Sequence, residues 1–279
     1  MKKACVIGWP ISHSRSPLIH NYWLKRLGLA GAYERVPVEP LKLVDFFNQL
    51  TANGYAGCNV TLPHKEEAFQ LVKPADESTQ RLGAVNTIYV RDDQLHGTNT
   101  DGEGFINNLA SSCQGFDIRN TRAVLLGAGG AAMAIANALL QHGASEIVIA
   151  NRSIERAEKL RERFGPAIKP MEWSQRSAQL SECDLLVNTT SLGMKGQAEL
   201  TIDLTLLDTK TVVSDIVYVP LRTAFLEQAA ARGNPVVEGL GMLLHQAVRG
   251  FELWFGVRPT VTPDLHDLIA RDVDPGYTK

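Results

Sequence analysis

Short apolar runs rich in β-branched residues alternate along this chain with longer stretches of helical periodicity. The runs typical of strands cover residues 4–8, 33–37, 57–60 and 87–90, and later 123–126, 146–150, 185–188 and 212–216. The helical patterns cover residues 16–27, 44–49, 131–141, 154–164 and 223–232, followed by a strongly apolar helix over 242–255. This alternation predicts an α/β chain with largely parallel sheets.

A glycine-rich segment follows the predicted strand at 123–126 and opens the helix at 131–141. Its pattern is G-x-G-x-x-A, formed by Gly127, Gly129 and Ala132. Gly127 allows a tight turn, Gly129 lets a pyrophosphate approach the backbone, and Ala132 keeps the helix close to the strand. The helix amides and dipole favour phosphate. The segment therefore predicts a dinucleotide site at Gly127, Ala128, Gly129, Gly130 and Ala131; the alternative is a glycine-rich turn that binds nothing.

The next predicted strand ends in Asn151-Arg152-Ser153, where NAD-specific folds place an acidic residue on the ribose hydroxyls. No carboxylate is present there, and Arg152 can instead pair with a 2′-phosphate or stack on adenine. Arg156, one helical turn beyond, adds positive charge. The segment predicts NADP rather than NAD, against the alternative that Arg152 is simply a solvated basic residue.

Hydroxyl groups are concentrated in the loop that joins the first predicted strand to the first predicted helix. Ser14 and Ser16 lie near the helix N-terminus, where a substrate carboxylate is favoured. Ser16, followed by Pro17, is also expected to cap the helix. Ser14 has no such structural task, so it is the more informative candidate.

A lysine and a carboxylate occur in the first part of the chain, where a dinucleotide fold has no need for them. Lys65 follows Pro63 at the start of a short helix, and Asp101 is expected on a comparable loop. Such a pair in a cleft can keep the lysine protonated as a proton donor to a carbonyl, or desolvation can make it a base. The sequence leaves both states open, as it does the alternative that Lys65 is a solvated surface residue.

Glycines cluster at Gly102/Gly104 and at Gly239/Gly241, and we interpret these as two crossings of the chain between domains. The predicted substrate-binding α/β domain is therefore discontinuous, comprising residues 1–103 and 242–279. Residues 104–241 form a Rossmann-type NADP-binding domain with a parallel sheet, and a cleft separates the two domains. A length of 279 residues suits two domains of ordinary size.

The net charge of -2 gives no electrostatic reason to expect nucleic acid or an anionic membrane as a partner. No apolar run approaches the ~20 residues that span a bilayer. The N-terminus lacks a signal-peptide pattern, and the four cysteines are scattered singly, so we expect a cytoplasmic protein with reduced thiols. The histidines show no metal-ligand spacing, so no metal is expected; His64 and His245 are expected to point away from ligands.

The whole motif set resembles the shikimate dehydrogenase family, in the family's order and over nearly the whole chain. The matching segments are Ser14-x-Ser16-Pro17, Asn59-Val60-Thr61-x-Pro63-x-Lys65, Gly83-Ala84-Val85-Asn86-Thr87, Asn99-Thr100-Asp101-Gly102, Gly127-Ala128-Gly129-Gly130-Ala131, Asn151-Arg152-Ser153 and Gly239 to Ala247. The resemblance implies reversible NADPH-dependent reduction of 3-dehydroshikimate to shikimate, a step of chorismate and aromatic amino-acid biosynthesis. We expect a monomer or a homodimer.

The resemblance also implies roles for individual residues. Lys65 and Asp101 form the catalytic pair, and the substrate is bound by Ser14, Ser16, Asn59, Thr61, Lys65, Asn86, Asp101, Tyr218 and Gln246. The nicotinamide side of the NADP site is lined by Thr190, Ser191, Ile216, Gly239 and Met242. Ser153 stands where the family often has threonine; it keeps the hydroxyl, so the expected preference for NADP is little affected.

Three alternatives stay open at this point. A relative that acts on quinate, or on both acids, would use the same residues and could accept NAD. A non-catalytic NADP-binding sensor would be expected to lack Lys65 or Asp101, and both are present. A methylenetetrahydrofolate dehydrogenase would favour an aromatic residue near the lysine for stacking on the pterin, and residues 59–65 contain none.

Overall fold

The computed structural model describes residues 1–278, which divide into two compact units. The first unit combines Met1–Asp101 with Gln246–Ile269, and the second combines Gly102–His245 with the residues from Ala270 onwards. The chain therefore crosses between units three times, after Asp101, after His245 and after Ile269. Residues 102–103, 242–245 and 270–278, predicted in the substrate-binding domain, belong with the second unit. No helix within residues 1–278 is long and apolar enough to cross a membrane.

The first unit contains six strands and the helices that connect them. The strands are β1 (Lys2–Gly8), β2 (Gly31–Pro37), β3 (Tyr55–Val60), β4 (Lys73–Pro74), β5 (Thr87–Arg91) and β6 (Gln94–Thr98). The helices are α1 (Ser16–Arg26), α2 (Leu43–Gln49), α3 (Lys65–Gln70) and α4 (Glu77–Leu82), with a 3-10 helix at Pro40–Lys42. The last part of α9 (Gly239–Phe255) and the first part of α10 (Pro263–Val273) also belong to this unit.

The sheet of the first unit is mixed, with strand order β2-β1-β3-β5-β6-β4. Strands β1, β2 and β3 are parallel, but β5 is antiparallel to both β3 and β6. Strand β6 is parallel to β4, so only β5 runs against the other strands, and the prediction of largely parallel sheets is confirmed except at the two pairings of β5. The reason is a two-residue hairpin: Asp92 and Asp93 both have positive φ values, 51° and 56°, as the tight turns between antiparallel strands require.

The antiparallel hairpin gathers the polar segments of the first unit at one edge of its sheet. Strands β1, β3 and β6 end at this edge, whereas β5 begins there, because Asn59 pairs with Thr87 and Thr87 pairs with Thr98. The loops after β1, β3 and β6 and the residue before β5 are consequently neighbours. Ser14 and Thr61 lie in the loops after β1 and β3, Asp101 begins the helix that follows the loop after β6, and Asn86 directly precedes β5.

The core of the first unit joins the sheet to α1 and to the last turns of α9. The interior of β1, from Ala4 to Ile7, is buried, as expected for a parallel strand covered on both faces. Trp254 packs against the sheet and donates a hydrogen bond from Nε1 to the Ile88 carbonyl at 2.8 Å. Trp254 and Phe251 are buried in this core.

The second unit has a six-stranded parallel sheet with the order β12-β11-β10-β7-β8-β9. Its strands are β7 (Arg122–Leu126), β8 (Glu146–Asn151), β9 (Ile168–Glu172), β10 (Leu185–Asn188), β11 (Val212–Asp215) and β12 (Val236–Val237). Its helices are α5 (Asp101–Ser112, whose first residue belongs to the first unit), α6 (Gly130–Gln141), α7 (Ile154–Phe164), α8 (Ala224–Ala231) and the first turns of α9, with 3-10 helices at Trp173–Gln175 and Leu180–Glu182. Counted from β7 as the first, the order is 6-5-4-1-2-3, that of dinucleotide-binding folds.

The glycines interpreted as interdomain crossings lie inside helices α5 and α9, not in loops. A Cβ on Gly102 would lie 2.8 Å from the Ala134 carbonyl oxygen and from the Ala138 Cβ, both in α6. A Cβ on Gly241 would lie 1.8 Å from Asn108 Oδ1. Since neither position has room for a methyl group, these glycines are required by close helix packing within the second unit.

Candidate functional site

The serine loop of the first unit differs from the expectation in two respects, since Ser16 does not cap α1 and Ser14 does have a structural contact. The residue that precedes α1 as its N-cap is Arg15, and Ser16 is the first residue inside the helix, so the prediction that Ser16 caps α1 is wrong. Ser14 Oγ lies 3.3 Å from both the backbone N and the Oγ of Ser16. Ser14 therefore supports the first turn, and the Ser14 carbonyl accepts a hydrogen bond from Arg35 Nε at 2.7 Å.

The predicted catalytic pair is in direct contact. Lys65 Nζ donates to Asp101 Oδ2 at 2.6 Å, with side-chain exposures of 26% and 14%. Both residues begin helices, Lys65 in α3 and Asp101 in α5, so Asp101 does not lie on the expected loop. The Asp101 amide donates to Asn99 Oδ1 at 3.1 Å, which fixes the start of α5. The pair is partly shielded from water yet accessible, as a proton-transfer site requires.

Asn86 holds the other oxygen of the Asp101 carboxylate. Its Nδ2 donates to Asp101 Oδ1 at 2.8 Å, and its Oδ1 accepts from the Thr100 amide at 2.9 Å. Asn59, 5% exposed, donates from Nδ2 to the Asn86 carbonyl at 3.1 Å. The first unit thus brings Asn59, Asn86, Lys65 and Asp101 into one connected group, while Thr61 lies half-buried directly after β3.

The remaining predicted substrate residues lie in the loop after β11 and in α9. Tyr218 is half-buried and belongs to the second unit, three residues beyond the end of β11. Gln246 is half-buried in α9 and is the residue at which the chain re-enters the first unit.

The glycine turn of the second unit has the geometry that a phosphate group needs. Gly127 has φ +109°, and a Cβ there would lie 2.8 Å from the Thr190 Cγ2, so glycine is required. A Cβ on Gly129 or Gly130 would have no protein atom within 4 Å. Helix α6 begins at Gly130 without a side-chain cap and without an acidic residue in its first turn. Its terminal amides are thus open to an anionic group, and the residues fit a bound pyrophosphate.

The segment after β8 combines a fixed backbone with exposed positive charge. Asn151 Oδ1 accepts from the Ala128 amide at 3.2 Å, and Asn151 Nδ2 donates to the Ser153 carbonyl at 2.8 Å. Arg152, Ser153 and Arg156 are exposed. Asn151 therefore ties this segment to the glycine turn, leaving two arginines and a hydroxyl available for a phosphate.

Asn188, at the end of β10, organises the loops after β10 and β11. Its Oδ1 accepts from the Thr190 amide at 3.1 Å and from Thr190 Oγ1 at 2.7 Å, and its Nδ2 donates to Asp215 Oδ1 at 2.9 Å. Asp215 is fully buried, and burial raises its pKa to about 6, against opposing hydrogen bonds from Thr223, the Val217 amide and Asn188.

Three of the residues predicted at the nicotinamide side, Thr190, Ile216 and Gly239, make close contacts within the second unit. Gly239 approaches the Ile216 backbone so closely that a Cβ would lie 2.6 Å from the Ile216 carbonyl, and Gly127 meets Thr190 as described. Ser191, which follows Thr190, is exposed, and Met242, three residues after Gly239, is half-buried.

The histidines adjacent to the motifs have structural surroundings. His64 is buried, with Nε2 2.8 Å from the Val38 carbonyl. Burial lowers the pKa of the half-buried His245. Across residues 1–278, no group of three or more His, Cys, Asp or Glu side chains could hold a metal ion.

Several polar residues support the site through hydrogen bonds, although the sequence did not predict a role for them: Tyr33, Thr87, Thr100, Asn188 and Asp215. Thr87 and Thr100 each follow an asparagine in a quoted motif, which is the one signal the chain offers for them. Tyr33 lies in an ordinary strand pattern. Its hydroxyl reaches the site through a hydrogen bond to Asn59, a contact between distant parts of the sequence that the strand pattern does not predict.

Three family models match this chain, and together they cover most of it. They are the shikimate dehydrogenase substrate binding domain over residues 6–88, shikimate / quinate 5-dehydrogenase over residues 108–195, and the shikimate 5'-dehydrogenase C-terminal domain over residues 239–263. The first two matches fall within the two units described above.

Individual proteins agree with these models. A shikimate dehydrogenase (NADP(+)) of Rhodopseudomonas palustris is 55% identical over 274 residues, covering 98% of each chain. A 5-ketofructose reductase of Gluconobacter sp. strain CHM43 in its ligand-free form has a TM-score of 0.89 and 31% identity, covering 97% of this chain and 98% of that one. A shikimate 5-dehydrogenase of Thermus thermophilus in complex with NADP(H) and shikimate has a TM-score of 0.86 and 34% identity, covering 98% of this chain and 100% of that one. The chain belongs to the shikimate dehydrogenase family.

Proposed function

We propose that this protein is an NADP-dependent oxidoreductase that reversibly reduces 3-dehydroshikimate to shikimate. The observation that carries the proposal is the 2.6 Å contact between Lys65 Nζ and Asp101 Oδ2, within a chain 55% identical to an NADP-dependent shikimate dehydrogenase. A sensor that only binds NADP has no use for this pair. The reaction is a step in the synthesis of chorismate and the aromatic amino acids.

Reduction of a ketone to an alcohol adds one hydride to carbon and one proton to oxygen. NADPH, when bound, supplies the hydride to the carbonyl carbon. The Lys65 ammonium donates the proton to the developing alkoxide and takes it back in the reverse direction. Asp101 keeps the ammonium group in place through its hydrogen bond at 2.6 Å. No metal ion is needed, because the ammonium provides the positive charge beside the oxygen.

Substrate recognition divides between the acid group and the ring hydroxyls. Ser14, Ser16 and Thr61 donate hydrogen bonds to the carboxylate at the edge of the first unit's sheet. Asn86, Asp101 and Gln246 contact the ring hydroxyls, and Tyr218 lies beside the substrate. Two chemical properties of these side chains support this division: the three hydroxyls are neutral donors, and the amides and carboxylate combine donors with acceptors.

NADP binding uses the second unit. Gly127, Ala128, Gly129, Gly130 and Ala131 hold the pyrophosphate at the open N-terminus of α6. Arg152 pairs with the 2′-phosphate, supported by Asn151, Ser153 and Arg156. The nicotinamide side is formed by Thr190, Ser191, Ile216, Gly239 and Met242. The unoccupied space at Gly129 and Gly130 supports this assignment, since protein packing does not require glycine there.

The protein acts in the cytoplasm as a monomer or a homodimer. The free cysteines Cys5, Cys58, Cys113 and Cys183 suit a reducing compartment.

A steady-state assay that crosses two substrates with two cofactors tests the proposal. Shikimate and quinate are each oxidised with NADP and with NAD, and kcat/KM is compared across the four combinations. We expect the highest value for shikimate with NADP. A higher value for quinate would assign the chain to the quinate-oxidising members of the family, and turnover with none of the four combinations would refute the proposed activity.

A further inference from the structure

A chain of hydrogen bonds runs through the first unit from a buried tyrosine to the Lys65–Asp101 pair. Tyr33 Oη donates to Asn59 Oδ1 at 2.6 Å, and Asn59 Nδ2 donates to Thr87 Oγ1 at 3.1 Å. Thr87 Oγ1 donates to Asn86 Oδ1 at 2.9 Å, and Asn86 Nδ2 donates to Asp101 Oδ1 at 2.8 Å. Every link but the last is between buried groups, because Tyr33, Asn59, Thr87 and Asn86 are at most 5% exposed.

Two backbone groups determine the direction of each bond in this chain. The Thr100 amide can only donate, so the Asn86 atom 2.9 Å away must be the amide oxygen. The Asn86 carbonyl can only accept, so the Asn59 atom 3.1 Å away must be the amide nitrogen. With both amides fixed, the Thr87 hydroxyl has one arrangement left: it accepts from Asn59 and donates to Asn86.

The hydrogen-bonding groups of the Asn59 side chain are used within the protein, which argues against direct contact with the substrate. Its two Nδ2 hydrogens are used by the Asn86 carbonyl and by Thr87, and its Oδ1 accepts from Tyr33. The side chain lies in the buried end of β3, and the polar loop begins two residues later at Thr61. Asn59 therefore has little capacity for a ligand, although the family resemblance suggests that it binds substrate.

We propose that Tyr33, Asn59 and Thr87 are positioning residues: their directed hydrogen bonds hold the Asn86 amide and, through it, the Asp101 carboxylate against Lys65. This inference rests on the proposed dehydrogenase activity. If the Asn86 amide rotated, its oxygen would face Asp101 Oδ1, and two acceptors would repel each other. Thr87 opposes that rotation together with the Thr100 amide, because both donate a hydrogen bond to Asn86 Oδ1. The hydroxyl of Thr87 is a link in this chain that a single substitution can remove.

The test compares three variants of the full-length enzyme. Thr87→Val keeps the shape and removes the hydroxyl, Thr87→Ser keeps the hydroxyl, and Tyr33→Phe removes the first donor while keeping the ring. We expect kcat for shikimate oxidation to fall about fivefold or more in Thr87→Val, since a buried amide hydrogen loses its acceptor. Thr87→Ser should restore most of that loss, and the KM for NADP should be unchanged in all three.

A double-mutant cycle separates positioning from general loss of stability. In the Asp101→Asn background, Thr87→Val should cost much less in kcat than in the wild-type background, because the group that it positions has already been altered. If Thr87→Val fails to fold, Tyr33→Phe decides the question with an expected loss in kcat of about twofold or more.

Wild-type turnover of shikimate with NADP is measured first. Absence of that turnover would overturn the proposed function, and this inference with it. With an active wild type, a folded Thr87→Val enzyme of normal kcat, or an equal loss in both backgrounds, would overturn the positioning role alone. If Thr87→Val does not fold, a normal kcat in Tyr33→Phe would likewise overturn the positioning role alone.

Discussion

The imidazole of His20 stacks on the ring of Tyr33, with centroids 4.0 Å apart and an interplanar angle of 13°. Trp23 meets the imidazole edge-on with centroids 5.7 Å apart, and Phe251 lies nearly parallel to it with centroids 6.0 Å apart. Neither ring nitrogen of His20 has a hydrogen-bond partner among the described residues. Desolvation in this aromatic cluster lowers the pKa of His20 to about 3, so the ring is neutral in the folded protein at physiological pH.

His20 should make the protein sensitive to acid. Because its folded pKa of about 3 lies below the ordinary 6.5, the unfolded chain binds a proton that the folded chain does not, and stability falls as the pH drops below 6.5. At pH 5 the loss from this group is about 2 kcal/mol. His20→Phe should therefore narrow the difference between the unfolding temperatures at pH 7.5 and pH 5. The exposed His13, changed to Gln, is the control, and a variant as acid-sensitive as the wild type would contradict the assignment.

Asp215 should have the opposite dependence on pH. Its folded pKa of about 6 lies above the ordinary 3.8, so the folded state holds a proton that the unfolded state has lost. The stability contributed by this group is therefore present at low pH and declines as the pH rises through about 6. The advantage of wild type over Asp215→Asn in unfolding free energy should be about 2 kcal/mol greater at pH 4.5 than at pH 7.5. Denaturant titrations at the two pH values measure it, with Asp208→Asn as an exposed control; a constant difference would exclude the raised pKa.

The dinucleotide-binding unit was largely predictable from sequence, because local rules determine it. Parallel strands buried on both faces give continuous apolar runs, and Gly127 and Gly129 mark the turn wherever strand and helix flank it. The prediction of helix 223–232 is also confirmed, since α8 spans Ala224–Ala231 and Thr223 caps it by accepting from the Leu226 amide.

The polar cluster of the first unit was harder to predict, because it depends on an unrecognised hairpin. Strand β6, with the sequence Gln-Leu-His-Gly-Thr, has too few apolar residues to give a strand pattern, and the Asp92-Asp93 turn is not among the commonest hairpin signals. That hairpin places Asn86 next to Asp101. The polar residues were therefore identified by resemblance, while their hydrogen-bond partners Tyr33 and Thr87 follow only from the tertiary structure.

Arg152 provides a test of cofactor selectivity. Removing its guanidinium in Arg152→Ala should weaken NADP binding selectively, because a charge-assisted contact with a phosphate contributes on the order of 1.5–3 kcal/mol. Turnover with NAD, which lacks the 2′-phosphate, should change much less. KM values for both cofactors measure the effect, and Arg163→Ala, on the same helix as Arg156 but outside the predicted site, is the control. Equal losses for NADP and NAD would show that Arg152 does not bind the 2′-phosphate.

Ser14 provides a test of substrate anchoring. Ser14→Ala should lower kcat/KM for shikimate, because it removes a hydrogen bond to the carboxylate and the orientation which that bond secures. It also removes the 3.3 Å contact with the Ser16 amide, so a stability loss of about 1 kcal/mol is expected at the start of α1. The thermal unfolding midpoint separates the two effects. The exposed Ser12, changed to Ala, is the control, and an unchanged kcat/KM in Ser14→Ala would remove Ser14 from the site.

The central claim is that Lys65 transfers a proton to and from the reacting oxygen. Lys65→Ala should lower the rate of the chemical step by roughly 10²–10⁴-fold, the usual range for general acid–base catalysis. The KM for shikimate should change far less, because the ammonium acts mainly on charge that develops in the transition state. Affinity for NADP should be retained, and Lys73→Ala, at an exposed position of the same unit, should behave as wild type.

The most direct measurement is single-turnover oxidation of shikimate by Lys65→Ala, followed by NADPH absorbance with the enzyme in excess over substrate. The format isolates the chemical step from product release. The account predicts a first-order rate at least about 100-fold below that of wild type, with saturation at a similar enzyme concentration. A rate close to that of wild type would contradict proton transfer by Lys65 and would reduce the lysine to a solvated neighbour of Asp101.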